Sequence, residues 1–395
     1  MIQTKIKNAY PALILATTTL FINFWAWSLI SPLGAKYSSE LALEPIQLSL
    51  LLAVPVIVGS LGRIILGMLT DKYGGKLIFS IVCFLTAIPV LGLSIVDTYN
   101  QLLLVAFFLG LGGAVFSVGI PYISAWFSPK QRGLMLGIYS MGNAGTAMAA
   151  FLTPRLSDSI GRDQTFILIA GMLIIMGVIF IVAGKNSPTW KPQKGSALLR
   201  IAQASKQHLT WDLSAVYVVT FGAFVAFGVY LPVLLKVAYD LPVTDAASRA
   251  AGFVLLATVA RPIGGWLSDK IGGKKVIRIG LISVVILAGI VAVQPSLHLH
   301  TTVAYLSLAF ILGCCNGAVF ALVGKLAKPE FMGSVTGIVG AVGGLGGFLP
   351  PLILGATYQL THSYATALIM LSISALISFV YINQRFKDKK TYNYV

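Results

Sequence analysis

The sequence predicts an all-α polytopic membrane protein of twelve transmembrane helices, six in each half of the chain. Three observations carry that prediction. Of the 395 residues 57% are hydrophobic and 10% charged, with a mean hydropathy of +0.88, whereas a soluble globular domain carries about 25% charged residues. Apolar runs of about 20 residues, enough to cross a bilayer, recur along the whole chain. Finally, the stretch GRIILGMLTDKYGGK at 62–76 returns as ARPIGGWLSDKIGGK at 260–274, every matched position shifted by the same 198 residues. A same-direction repeat at half the chain length marks two halves of one ancestral unit.

The apolar runs fall at 11–33, 47–69, 77–96, 101–126, 132–153, 164–183, 212–236, 246–268, 276–294, 301–323, 333–356 and 364–383. The first is a span and not a cleaved leader, because it is too long and no small-residue cleavage site follows it. Two bundles are expected, at 1–183 and 211–395, joined by a polar cytoplasmic linker at 184–210 with a short surface helix from Ser196 to Gln207. The net charge of +16 is a topology signal and not a nucleic-acid footprint. Of the 28 basic residues, 21 gather on the side holding both termini, from Lys5 and Lys7 through Lys72, Lys76, Lys194, Lys274 and Lys275 to Lys390. The positive-inside rule makes that side cytoplasmic. Lys36, Arg155, Arg162, Lys236 and Arg249 lie opposite.

Along the chain, span 1 carries Trp25, Trp27 and Pro32 towards its outer end, where tryptophan is expected as an interfacial anchor, with a substrate-facing role as the alternative. After span 2, Gly74 and Gly75 permit a tight turn, and Lys72 and Lys76 meet the anionic headgroups of the lipid bilayer. Span 4 shares the string GAVF with span 10, at Gly113–Phe116 and Gly317–Phe320. Spans 5 and 11 carry ridges of small residues, with GNAG at 142–145 matching GGLG at 343–346. Close helix packing accounts for such ridges. It does not account for Asn143, a full amide within one of them. All twelve acidic residues fall in loops or at span ends, His208, His298, His300 and His362 lie in loops, and Cys83, Cys314 and Cys315 lack metal-ligand or redox spacing. No cofactor, metal site or catalytic constellation is expected.

That census leaves Arg63 and Arg261, matched across the repeat and eight residues from Asp71 and Asp269. At 1.5 Å per residue each arginine sits about 12 Å inside that boundary, near mid-bilayer. A buried guanidinium either bonds to backbone carbonyls and holds helices together or awaits an anion. Its planar fork fits a planar oxyanion two oxygens at a time, which a lysine cannot do. Small carboxylates such as formate or oxalate meet the same description.

The two loop motifs resemble the motif after spans 2 and 8 of major facilitator superfamily transporters, and the match covers essentially the whole chain. With mid-span arginines and both glycine-rich ridges, the sequence looks like the nitrate/nitrite porter family within that superfamily. The resemblance implies two six-helix bundles with a central substrate site, alternating access by rocking, and nitrate and nitrite as substrates. It implies binding roles for Arg63, Arg261, Asn143, Tyr217, Phe221, Phe116 and the backbone at Gly343, Gly344 and Gly346. Tyr217 and Phe221, four apart, share a helix face. Asp71 and Asp269 are expected as gate latches that meet a helix N-terminus or a basic loop in one conformation. With no acid or histidine in the spans, exchange of nitrate for nitrite by a monomeric carrier is expected. Proton-coupled nitrate uptake, with the proton carried by water or Tyr217, is the alternative.

Overall fold

The computed structural model describes residues 8–192, 196–293, 299–361 and 363–385. Lys5, Lys7, Lys194, His298, His362 and Lys390, placed above in loops or termini, lie outside the described residues. Among the described residues the secondary structure is helix, without strands. In a bilayer this is forced, since a helix satisfies its own backbone where lipid cannot.

Among the described residues nine helices are long and apolar enough to cross a membrane, and one of them, Ser248–Ala292, contains both the eighth and the ninth expected spans. Spans 5 and 11 are not in that set, and both are interrupted. Span 5 runs as Arg132–Ser140, a 3-10 turn at Met141–Asn143, and Ala144–Ile160. Span 11 runs as Met332–Gly346 and then Leu349–Thr361. Both interruptions fall in the glycine-rich ridges, where the sequence is least able to enforce a regular helix.

Element ends follow local chemistry. Gln47 Oε1 accepts from the Glu44 N–H at the start of Pro45–Tyr73, and Thr98 and Gln101 form a reciprocal cap on Tyr99–Ala114. The two repeat loops turn through Gly74 (φ 82°) and Gly272 (φ 90°), a left-handed backbone that favours glycine. In the linker a helix spans Ala197–Ser205.

The chain forms two compact units. The first gathers the described residues up to Ser128 with Ile138–Ala204 and Lys328–Ala341. The second gathers Pro129–Gly137, Ser205–Ala327 and the described residues from Val342 onward. The core of the first includes Trp25, Leu29, Leu51, Leu102, Phe166 and Leu173. The tryptophans correct an expectation: Trp25 is buried and donates to Thr153 Oγ1 at 2.9 Å, and Trp27 donates to the Pro55 carbonyl at 3.0 Å. Both indole N–H groups are thus paired inside the unit and not with the headgroup layer.

Candidate functional site

In the first unit Arg63 is 2% exposed. Its Nη1 donates to the Gly340 carbonyl at 2.8 Å, with a longer contact of 3.4 Å from Nε to the Gly113 carbonyl. The carbonyl-bonding role considered from sequence is therefore present. The guanidinium carbon lies 5.6 Å from the centre of the Phe116 ring, within cation–π range.

Phe116 is held by a break in its own span. The helix Tyr99–Ala114 ends, Val115 turns, and Phe116–Trp126 resumes. Such a break loosens carbonyls, and the Tyr139 hydroxyl meets two of them, Val115 O at 3.2 Å and Phe116 O at 3.1 Å. The Tyr139 ring packs 5.8 Å from that of Phe116. Asn143 sits one turn beyond Tyr139, buried, donating from Nδ2 to Ser140 O at 2.8 Å across the 3-10 turn. An amide nitrogen carries two hydrogens, so this bond uses one of them.

In the second unit Arg261 is 1% exposed. Its guanidinium carbon lies 5.9 Å from the Phe221 ring centre and 4.8 Å from that of Phe224. Tyr217 stacks on Phe221 at 4.8 Å with planes 15° apart, and Phe320 meets Tyr217 edge-on at 4.9 Å. Gly343 lies beneath the Tyr217 ring, where a β-carbon would overlap it. The Gly343 and Gly344 carbonyls both accept from the Gly347 N–H at 3.1 Å, closing the end of Met332–Gly346. Gly346 packs on Val218 and Gly222. The second ridge thus makes room for the aromatic helix at these positions.

The two aspartates are helix caps. Asp71 Oδ1 accepts from Gly333 N at 2.9 Å, and Oδ2 accepts from Ser334 N at 3.1 Å and Ser334 Oγ at 3.3 Å. Asp269 Oδ1 and Oδ2 accept from Gly133 N at 3.1 Å and Leu134 N at 2.9 Å, and Lys325 Nζ approaches Asp269 at 2.9 Å. A carboxylate on a helix N-terminus is favoured by orphan N–H groups and the macrodipole.

The structure therefore brings together Arg63 with Phe116, and Arg261 with Phe221, Tyr217 and Gly343, while Asp71 and Asp269 stand apart at their span ends. Sequence reasoning missed Tyr139, Phe224 and Phe320 as members of these clusters. Phe224 was within reach, since its spacing of three from Phe221 puts both on one face. Phe320 was visible as the match of Phe116 in the GAVF repeat. Nothing local marks Tyr139.

The family model described as Major Facilitator Superfamily matches residues 16–351. A probable nitrate/nitrite transporter of Mycobacterium tuberculosis is 40% identical over 373 residues, covering 93% of this chain and 94% of that protein. A nitrite extrusion protein of Bacillus subtilis is 37% identical over 377 residues, 95% of this chain and 94% of that one. Among solved structures, the fucose:proton symporter of E. coli superposes with a TM-score of 0.76 at 14% identity, over 96% of this chain and 99% of that chain. That last likeness concerns the fold alone.

Proposed function

We propose, for a chain that belongs to the nitrate/nitrite porter family of the major facilitator superfamily, that it carries nitrate and nitrite across the cell membrane by alternating access, exchanging one for the other. The observation that supports this most is the pair of arginines. Each is buried, each sets its guanidinium against an aromatic face, and the two hold equivalent places in an internal repeat. A buried cation in a span is costly on its own, and a planar oxyanion repays that cost through two parallel hydrogen bonds. The aromatic rings offer a flat apolar surface to a flat anion and keep water away from it.

In this reading Arg63 and Arg261 bind the anion, Asn143 and Tyr217 donate to it, and Phe116 and Phe221 flank it. With no anion bound, the arginines repel each other and oppose the conformational change, so each return step needs an anion. Asp71 and Asp269 act as latches whose hydrogen bonds to helix N-termini hold in one conformation and part in the other. The carrier works as a monomer with both termini in the cytoplasm.

Counterflow decides it. Proteoliposomes loaded with nitrite take up labelled nitrate, while anion-free vesicles do not, and an imposed pH gradient changes little. Accumulation of nitrate in anion-free vesicles under an acid-outside gradient would replace exchange with proton symport. Displacement of labelled nitrate by formate or oxalate at equal concentration would replace the substrate assignment with a small carboxylate.

A further inference from the structure

We propose that Asn316 is a further anion-binding residue, donating from its side-chain amide to an oxygen of the bound planar anion beside Arg261; this deepens, and rests on, the transport reading above. Asn316 lies in the Leu299–Leu326 helix, in the string GCCNGAVF, and is 2% exposed. Both Nδ2 and Oδ1 are buried without a hydrogen-bond partner. While the Ser214 and Tyr305 hydroxyls, like Asn316, have no partner, several other polar side chains in the spans return to their own backbone: Thr220 to Val216 O, Thr258 to Val254 O, Asn23 to Thr19 O and Asn143 to Ser140 O. An amide that does not do so, in a span, marks a functional position.

Its place in the helix is fixed by its neighbours. Two ring contacts tie this helix to His208–Tyr239, Tyr305 on Phe227 and Phe320 on Tyr217. Asn316 is four residues before Phe320 and three turns after Tyr305, so it shares their face. The helices run antiparallel, and a point four residues from Phe320 stands level with Phe221, whose ring lies against the Arg261 guanidinium. The next residue, Gly317, backs directly onto the main chain of Arg261. Asn316 is thus bracketed by Arg261 on one side and the Tyr217–Phe221 stack on the other.

The repeat gives an independent argument. The GAVF match sets Asn316 opposite Gly112 in the first half, and the ridge match sets Asn143 opposite Gly344 in the second. Each half therefore carries a mid-span arginine and, at one of the matched glycine-rich segments, a buried amide, Asn143 on span 5 in the first half and Asn316 on span 10 in the second; the further buried amide of the first half, Asn23, is bonded to Thr19 O.

The test is nitrate binding to the purified full-length protein, by isothermal titration and by the nitrate-induced rise in unfolding temperature. Asn316→Ala is expected to weaken nitrate binding about tenfold, the worth of a hydrogen bond to a charged group, with the unfolding temperature in the absence of nitrate unchanged. Asn316→Asp is expected to lose nitrate at neutral pH and regain it as the pH falls, because the protonated acid is an uncharged donor of the same shape. Should Asn316→Ala fail to fold, this pH-dependent recovery decides alone. Nitrate affinity equal to the wild type in Asn316→Ala, with Arg261→Lys having lost it, overturns the proposal and leaves the transport reading standing. Wild-type affinity in Arg261→Lys as well overturns both.

Discussion

Arg63 reaches the carbonyl oxygen of Gly340 at 2.8 Å and packs closely on that residue: a β-carbon there would stand 3.1 Å from Arg63 Cδ, so the side chain would have to shift by a few tenths of an ångström. The glycine is thus part of how the guanidinium is aimed. Gly340→Ala is expected to keep the protein inserted and folded while lowering nitrate transport by about tenfold or more, since small displacements of a binding group cost heavily. Transport at the wild-type rate would show that Arg63 tolerates the shift.

Charge alone does not reproduce a guanidinium. Arg63→Lys and Arg261→Lys each keep a cation but lose the fork, and each is expected to abolish or nearly abolish nitrate uptake with expression and membrane insertion intact. Uptake measured in proteoliposomes at matched protein content checks this, and normal uptake in either variant removes that arginine from the site.

Phe224 lies closer to Arg261 than Phe221 does, at 4.8 Å against 5.9 Å. Phe224→Leu keeps the apolar volume and removes the ring face, so a loss of about 0.5–2 kcal/mol is expected in nitrate affinity. Calorimetric titration measures it. An unchanged dissociation constant would assign the ring to packing.

Asp71 caps a helix N-terminus through both carboxylate oxygens. Asp71→Asn keeps one acceptor and loses the charge, which weakens the cap by about 0.3–1 kcal/mol. A shift of that size changes a two-state population by a factor of about 1.7 to 5. Labelling of single cysteines placed near the span ends, compared with and without the substitution, reads the shift. Identical labelling would mean that Asp71 has no part in the conformational balance.

The sequence by itself determined the helical membrane class, the two-half repeat and the arginine pair, because hydropathy, spacing and charge scarcity are properties of residues in order. It also placed Tyr217 and Phe221 on one face, since helical periodicity is local. Tertiary structure alone decided what those residues touch. That Trp25 and Trp27 turn inward to Thr153 and the Pro55 carbonyl, that Gly343 makes space for the Tyr217 ring, and that the Tyr139 hydroxyl secures the break before Phe116 all depend on contacts between distant segments. Asn316 shows the same division: its amide is plain in the sequence, but only the packing of three helices reveals that the amide is buried, unpaired and level with the Phe221 ring beside Arg261. Hydrogen bonds and ring contacts between spans follow from where helices meet in space, which no local pattern of residues encodes.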